Sequence, residues 1–354
     1  MRDVDFLALL VHRGFLSKDQ AQPLMQAMSG GEGPGLDELL EQELGWEEAE
    51  VRRLRRTRCG EIPEIPGYEI LDRLGTGGTA DVFAVRDKKT NRKLALKVLK
   101  PEATRHAPTR KAFVHEARLL EKLDHPRLVH CYGVARSGST YFSRLDFVDG
   151  VTLLEELDGG RVFTEQEALN ITLQTAEGLA YLEEQGVVHR DVKPGNIMLT
   201  YDGEVVLIDL GFAAPGGATD ENADSTVGTV AYLSPEQARG GAAADTRSDI
   251  YSLGVSLFHI VVGHLPFEGS DDRDVLRMQV MESLSSPELK SRGISPHLHY
   301  FIEKMVAKEA DHRYQGWTEL MADIKEQLAG REDLDLEGMR AELRSKGTRF
   351  RRRR

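Results

Sequence analysis

The stretch His189-Arg190-Asp191-Val192-Lys193-Pro194-Gly195-Asn196-Ile197-Met198-Leu199 gathers a histidine, two cations, a carboxylate and an amide within eight positions. Short apolar pieces flank it, at Val187–Val188 and Ile197–Leu199, and read as strands. Eighteen residues after Asp191 a second carboxylate, Asp209, stands in the run IDLGFA at 208–213, close behind another strand-like piece, Val205–Ile208.

Upstream of this stretch the chain changes character. Tyr68, Ile70 and Leu74 alternate toward a glycine cluster in LGTGGTADVFAV at 74–85. Gly75, Gly77 and Gly78 would let backbone amides approach phosphate oxygens without side-chain clash, and a tight hairpin with no ligand is the alternative. No G-K-[ST] follows, which excludes a Walker A loop. The glycines lead into Val82-Phe83-Ala84-Val85, which reads as a strand and not as the helix a dinucleotide site would open. Next, Leu94-Ala95-Leu96-Lys97-Val98 sets one lysine in an apolar strand. A buried lysine needs a counter-charge, and Glu116, 19 residues on among Phe113, Ala117, Leu119 and Leu120, is the candidate. From about residue 150 the pattern is mainly helical. A strand-rich part followed by a helix-rich part predicts an α+β, two-lobed body.

Glycine loop, strand lysine, helix glutamate, H-R-D-x-K-x-x-N, D-x-G and a P-E box stand here in one order. In that order and spacing the chain resembles the eukaryotic-like (bacterial Hanks-type) serine/threonine protein kinases over about 66–328. The resemblance implies the two-lobed protein kinase fold: a small β-rich lobe over 68–148 and a larger helical lobe over 149–328. It implies ATP and Mg2+ as cofactors, with Mn2+ as a substitute, and proteins bearing Ser or Thr as substrates. In the ATP site it places Gly75, Thr76, Gly77, Gly78, Thr79, Ala80, Asp81 and Val82 over the phosphates. Lys97 falls on the α- and β-phosphates, paired with Glu116, and Asn196 and Asp209 on the metal. Ala95, Leu145, Asp146 and Val148 fall at the adenine, with Leu145 as gatekeeper; Tyr141 and Phe142 each serve as anchor for that alignment. Asp191 would orient the acceptor hydroxyl and take its proton, and Lys193 would stabilise the transferring phosphoryl. Thr229, in GTVAYLSPE at 228–236, would bond Asp191 and Lys193. Glu236 would pair with Arg313, and Asp249 would brace the backbone of the H-R-D turn.

The chain departs from the pattern at Ala80, where the third loop glycine is expected, at Leu210 within D-x-G, and at Ser234-Pro235-Glu236 for A-P-E. None of these removes a charge that the chemistry needs, so an active kinase is expected over a nucleotide-binding pseudokinase scaffold. A small-molecule phosphotransferase is disfavoured by the segment at 228–236, which suits a peptide. Arg190 before Asp191 implies ordering of the activation segment by phosphate, with autophosphorylation expected at Ser225 or Thr226, and Thr219 as a further candidate.

Residues 1–60 read as short helices. Phe6, Leu7, Leu10 and Val11 recur at helical spacing, Ser17 with Gln20 has capping-box spacing, and Gly45 marks a stop. The stretches at 9–20 and 39–50 look like one helix-turn-helix unit repeated. The unit is faintly similar to the small N-terminal domains of type II secretion ATPases. A regulatory or homodimerising module is one reading, and a packing extension or adaptor is the other. Residues 61–67, with Pro63 and Pro66, form a stiff linker, and 329–354 a helix and an Arg-rich tail.

Of the 354 residues, 46 are Lys or Arg and 58 Asp or Glu, a net charge of −12 that disfavours nucleic acid as a partner of the bulk surface. The basic run from Arg52 to Arg58 reads as a solvated helix face, with an acidic partner as the alternative. Two cysteines, Cys59 and Cys131, give no disulfide framework. No apolar run is long enough for a transmembrane segment and no signal peptide is read, so a cytoplasmic location is expected.

Overall fold

The computed structural model describes residues 2–28, 35–210, 214–215, 230–240, 244–284 and 294–330. It divides into two compact units, one of Met1–Asp72 with Val85–Arg92, the other of Arg73–Ala84 with Lys93–Arg354.

Among its described residues the first unit carries four helices, α1 (Asp3–His12), α2 (Lys18–Met28), α3 (Leu36–Leu44) and α4 (Glu48–Arg56). Ser17 Oγ accepts the Gln20 N–H and Gln20 Oε1 accepts the Ser17 N–H, so a reciprocal capping box starts α2. Gly45 ends α3 in the left-handed conformation at φ 68°. The thirty-residue offset of the sequence repeat recurs in the buried positions: Phe6 and Leu36, Leu10 and Leu40, Ala21 and Val51, Leu24 and Leu54. It recurs in the turns too, where the N–H groups of Leu16 and Trp46 bond the carbonyls of Leu10 and Leu40. Gly35 offers α3 no capping side chain, and Asp3 supplies one from α1, accepting the Leu36 N–H at 3.0 Å. That bond, with Arg55, holds the Asp3 carboxyl below its usual range. Arg55 turns inward over the Phe6 ring and bridges Asp3 and Asp37. Arg52 pairs with Glu48 and Arg56 with Glu64. Much of the basic run therefore meets carboxylates of its own unit.

The sheet contains β1 (Tyr68–Thr76), β2 (Ala80–Asp87), β3 (Lys93–Leu99), β4 (Cys131–Ser137) and β5 (Thr140–Asp146), in the order β1-β2-β3-β5-β4. Strand β5 lies antiparallel to both β3 and β4. Helices α5 (Pro101–Arg105) and α6 (Ala107–Leu120) sit between β3 and β4 in the chain. The helical lobe begins with β6 (Gly150–Thr152) and α7 (Leu153–Asp158), then α8 (Glu165–Glu184). Both helices start on capping boxes, Thr152 with Glu155 and Thr164 with Glu167. Strands β7 (Val187–Val188), β8 (Ile197–Thr200) and β9 (Val205–Leu207) follow, with β10 (Ala214–Pro215) paired to β7. Helices α9 (Pro235–Ala238), α10 (Thr246–Val262), α11 (Asp272–Met281) and α12 (Pro296–Met305) complete the named elements, and 317–330 is helical.

Nearly every residue of α10 is buried, as expected for a helix at the centre of a lobe. Its polar members stay satisfied: Ser252 and Ser256 bond the carbonyls four residues back. At Gly254 an added Cβ would stand 2.6 Å from the Met305 Cβ, so glycine lets α10 and α12 approach closely.

Candidate active site

The stretch at 189–199 forms a turn between β7 and β8. Arg190 takes φ 67°, a left-handed conformation that a non-glycine residue adopts only when its surroundings hold it. They do so on both sides. The two oxygens of Asp249, at the start of α10, accept the His189 and Arg190 N–H groups at 2.8 Å each. Gln237 Nε2 donates to the Arg190 carbonyl at 3.0 Å. Burial pushes the Asp249 carboxyl up to about 7, against these two donors, which favour its charged form. Burial also lowers the pKa of His189, so the ring is neutral and its Nδ1 accepts the Asp191 N–H.

With the turn clamped, Asp191 is presented with little freedom. Its Oδ2 receives Lys193 Nζ at 2.7 Å and Asn196 Nδ2 at 2.9 Å, and its carbonyl a second bond from the same Asn196 amide. Asp191 is 8% exposed, so it is nearly closed off from solvent.

The second cluster assembles from three distant segments. Lys97 on β3 donates to Glu116 on α6 at 2.7 Å and to Asp209, 112 residues away, at 3.1 Å. Burial opposes the ammonium charge, but Asp209 and Glu116 outweigh it and raise the Lys97 pKa above the ordinary lysine value. Burial pushes the Glu116 carboxyl up while Lys97 pulls it down, and the nearby Asp209 leaves the net direction upward. Two carboxylates thus share one ammonium. Leu210, beside Asp209, is buried in the main apolar core.

The glycine loop turns between β1 and β2, with the Gly77 N–H bonded to the Ala80 carbonyl. An added Cβ at Gly77 would meet that carbonyl at 3.1 Å, whereas at Gly75 and Gly78 nothing lies within 4 Å. Thr76 ends β1, Thr79 accepts the Lys100 N–H through its carbonyl, and Val82 lies within β2. Lys100, which the sequence reading did not single out, donates its Nζ to the Gly77 carbonyl and stands 3.6 Å from Asp81. A lysine one residue past a strand end carries no spacing rule that would have marked it. Across β3 and β5, Ala95 pairs with Leu145 and Leu94 with Asp146. Val148 follows two residues beyond, half-buried.

Glu236 and Arg313 meet in a two-bond fork, at 2.8 and 2.9 Å. The other guanidinium hydrogens go to the carbonyls of Ala307, Arg247 and Lys308, so all five donors are used. Ser248 Oγ adds a bond to the Glu236 carboxylate. Burial would raise this carboxyl, and Arg313 outweighs it, holding it at about 2.

Thr229, Gly211, Thr219, Ser225, Thr226 and the Arg-rich tail lie outside the described residues.

The protein kinase domain family model matches residues 68–324. The chain belongs to the protein kinase family. Serine/threonine-protein kinase PrkC of Bacillus subtilis is 34% identical over 259 residues, 73% of this chain and 40% of its own length. Serine/threonine-protein kinase PknB of Mycobacterium tuberculosis is 34% identical over 264 residues, 73% of this chain and 42% of its own. The PknB of Mycobacterium leprae is 35% identical over the same span. The chain thus spans about two fifths of the length of these curated relatives. The sheet is the small lobe of the kinase fold and the helical part its large lobe, α+β overall, with the N-terminal helices preceding them. Among the described residues no helix is long and apolar enough to cross a membrane.

Protein kinases use ATP with a divalent metal, generally Mg2+. Magnesium prefers oxygen donors, keeps several waters and binds through one or two carboxylates beside substrate phosphates. Asp209 has carboxylate oxygens and Asn196 an amide oxygen, donors of that kind. Among the described residues no three His, Cys, Asp or Glu side chains gather as a closed metal cage. The donor set fits a hard cation shared with phosphates.

Proposed function

We propose that the chain is an ATP-dependent serine/threonine protein kinase, with its catalytic domain over 68–328 and an accessory helical region over 1–60. One observation carries this reading: a single lysine held between Glu116 and Asp209, in the same unit as a clamped Asp191–Lys193–Asn196 triplet. These are the charges that phosphoryl transfer requires, and each is already oriented by neighbours.

In this reading the amides of 75–82 cradle the phosphates and Lys97 neutralises the α- and β-phosphates. Ala95, Leu145, Asp146 and Val148 border the adenine. Asn196 and Asp209 hold Mg2+, which when bound offsets phosphate charge, and Mn2+ takes its place. Asp191 orients the Ser or Thr hydroxyl and accepts its proton at a carboxylate oxygen. As the acceptor oxygen bonds the γ-phosphorus, the bond from that phosphorus to the bridging oxygen breaks and ADP leaves. Lys193 stabilises charge on the phosphoryl in flight, and Thr229 bonds Asp191 and Lys193. Autophosphorylation falls on Ser225, Thr226 or Thr219. The N-terminal helices serve a regulatory partner or a second copy, and the protein works in the cytoplasm.

The test is the full chain with labelled Mg-ATP and a generic protein substrate, beside Asp191→Asn. Label on Ser or Thr that vanishes in Asp191→Asn supports the reading. ATP binding with no transfer in either protein overturns it in favour of a scaffold.

A further inference from the structure

Helix α11 buries one side chain completely, and that side chain is polar. Gln279 is 0% exposed, and no other residue of the helix is fully buried. A buried amide is costly unless both its ends are bonded. Here they are. Gln279 Oε1 accepts the Tyr251 hydroxyl from α10, and its Nε2 donates to the carbonyl of Ala231. The Tyr251 oxygen in turn accepts Lys308 Nζ at 3.0 Å, and that ammonium lies 4.1 Å from the Phe267 ring centre. The donors run one way, from Lys308 through Tyr251 and Gln279 to Ala231. Hydrogen bonds aligned head to tail polarise one another.

The receiving carbonyl sits in a special place. Ala231 lies in the single helical turn Val230–Tyr232, one residue short of the Ser234-Pro235-Glu236 box that Arg313 anchors. The next carbonyl, of Tyr232, is also held by a side chain, Ser252 Oγ at 2.8 Å. Two side chains from two helices thus fix two successive carbonyls. An apolar residue at 279 would attach α11 at lower cost and would leave Ala231 unfixed.

We propose that Gln279 is a positioning residue for the protein substrate: by holding the Ala231 carbonyl it sets the backbone of 230–232, on which the acceptor peptide rests. The proposal rests on the kinase reading, because that reading makes 228–236 the peptide-docking segment. Gln279 touches neither ATP nor the reacting atoms.

The experiment compares full-length wild type, Gln279→Met and Tyr251→Phe. Each is assayed for the KM of a Ser/Thr peptide, the KM of ATP and kcat, and for amide hydrogen exchange without substrate. Gln279→Met keeps the volume and loses both bonds. Its peptide KM should rise about tenfold, the worth of one lost buried hydrogen bond, with ATP KM and kcat within about twofold. Exchange should quicken in peptides covering 230–233. Tyr251→Phe keeps the Nε2 donor and should show the same pattern at about twofold to threefold. Equal changes in ATP KM and kcat, or unchanged peptide KM in a folded variant, overturn the proposal. If Gln279→Met does not fold, an unchanged peptide KM in Tyr251→Phe overturns it instead. Inactive wild type would defeat the kinase reading and the substrate role with it. Unchanged exchange at 230–233 would defeat the positioning claim alone.

Discussion

Two buried charge clusters in the kinase domain use the same ingredients and end differently. At Arg313–Glu236 every guanidinium hydrogen has an acceptor, and both carboxylate oxygens are bonded. At Lys97–Glu116–Asp209 two carboxylates face one ammonium, and Asp209 keeps 38% of its side chain exposed. The first cluster is closed and balanced, so its strength goes into the fold. In the second the Asp209 carboxylate stays partly open to solvent, where the proposed metal ion would meet an oxygen donor. The difference between the clusters is thus one of closure: the first is sealed, while the second leaves a carboxylate exposed.

The largest effect that sharpens this contrast is on activity. Asp209→Asn should cut phosphotransfer by about a hundredfold to a thousandfold, the cost of removing one group aimed at transition-state charge. Because it relieves like-charge crowding with Glu116, its melting temperature should not fall. A drop of many degrees would erase the distinction between the clusters.

Arg313→Met should do the reverse. Leaving Glu236 buried and unpaired costs about 3–5 kcal/mol of stability, read by urea unfolding. A folded Arg313→Met of wild-type stability would break the comparison from the other side.

The same pair predicts an acid limb. Glu236 is held at about 2, below the 4.5 of a free glutamate. Above pH 4.5 its ionised form contributes stability in full, and that contribution is lost as pH falls toward 2. A shift of this size is worth about 3 kcal/mol at most. Unfolding free energy measured from pH 6 to 2.5 should fall less steeply in Glu236→Gln, which has no charge to lose.

The smallest effect lies in the first unit, at a helix cap away from the Arg55–Asp3–Asp37 cluster. Ser17→Ala removes half of the α2 capping box and should cost about 1 kcal/mol, seen as faster amide exchange in α2 with phosphotransfer unchanged. A matching loss of kinase activity would show that the N-terminal helices act on catalysis.

How much of this was legible beforehand follows from how each residue is constrained. Asp191, Lys193 and Asn196 lie within six positions, and one turn brings them together, so their spacing survives in the sequence. Lys97, Glu116 and Asp209 are scattered: the need for a counter-charge pointed to Glu116, the resemblance placed Asp209 on the metal, and the Lys97–Asp209 bond was not foreseen. Alternation at Tyr68–Leu74, at Val82–Ala84 and at Leu94–Val98 marked three pieces of strand, which lie within β1, β2 and β3. Gln279 and Lys100 escaped because each acts on a backbone carbonyl, and a carbonyl leaves no mark in residue identity. Gln279 did leave one faint sign, a polar residue four positions after Val275 on the inward stripe of α11. In the first unit the thirty-residue repeat was visible, but the Asp3 cap on α3 was not, because it comes from 33 residues away. Arg55 read as one of a surface run and in fact turns inward.

The most direct measurement is phosphotransfer by Lys97→Met at a temperature where its circular dichroism matches wild type. The account predicts a loss of at least about a hundredfold in the folded variant, since phosphate needs the lysine's charge. Transfer near the wild-type rate from a folded Lys97→Met would contradict it.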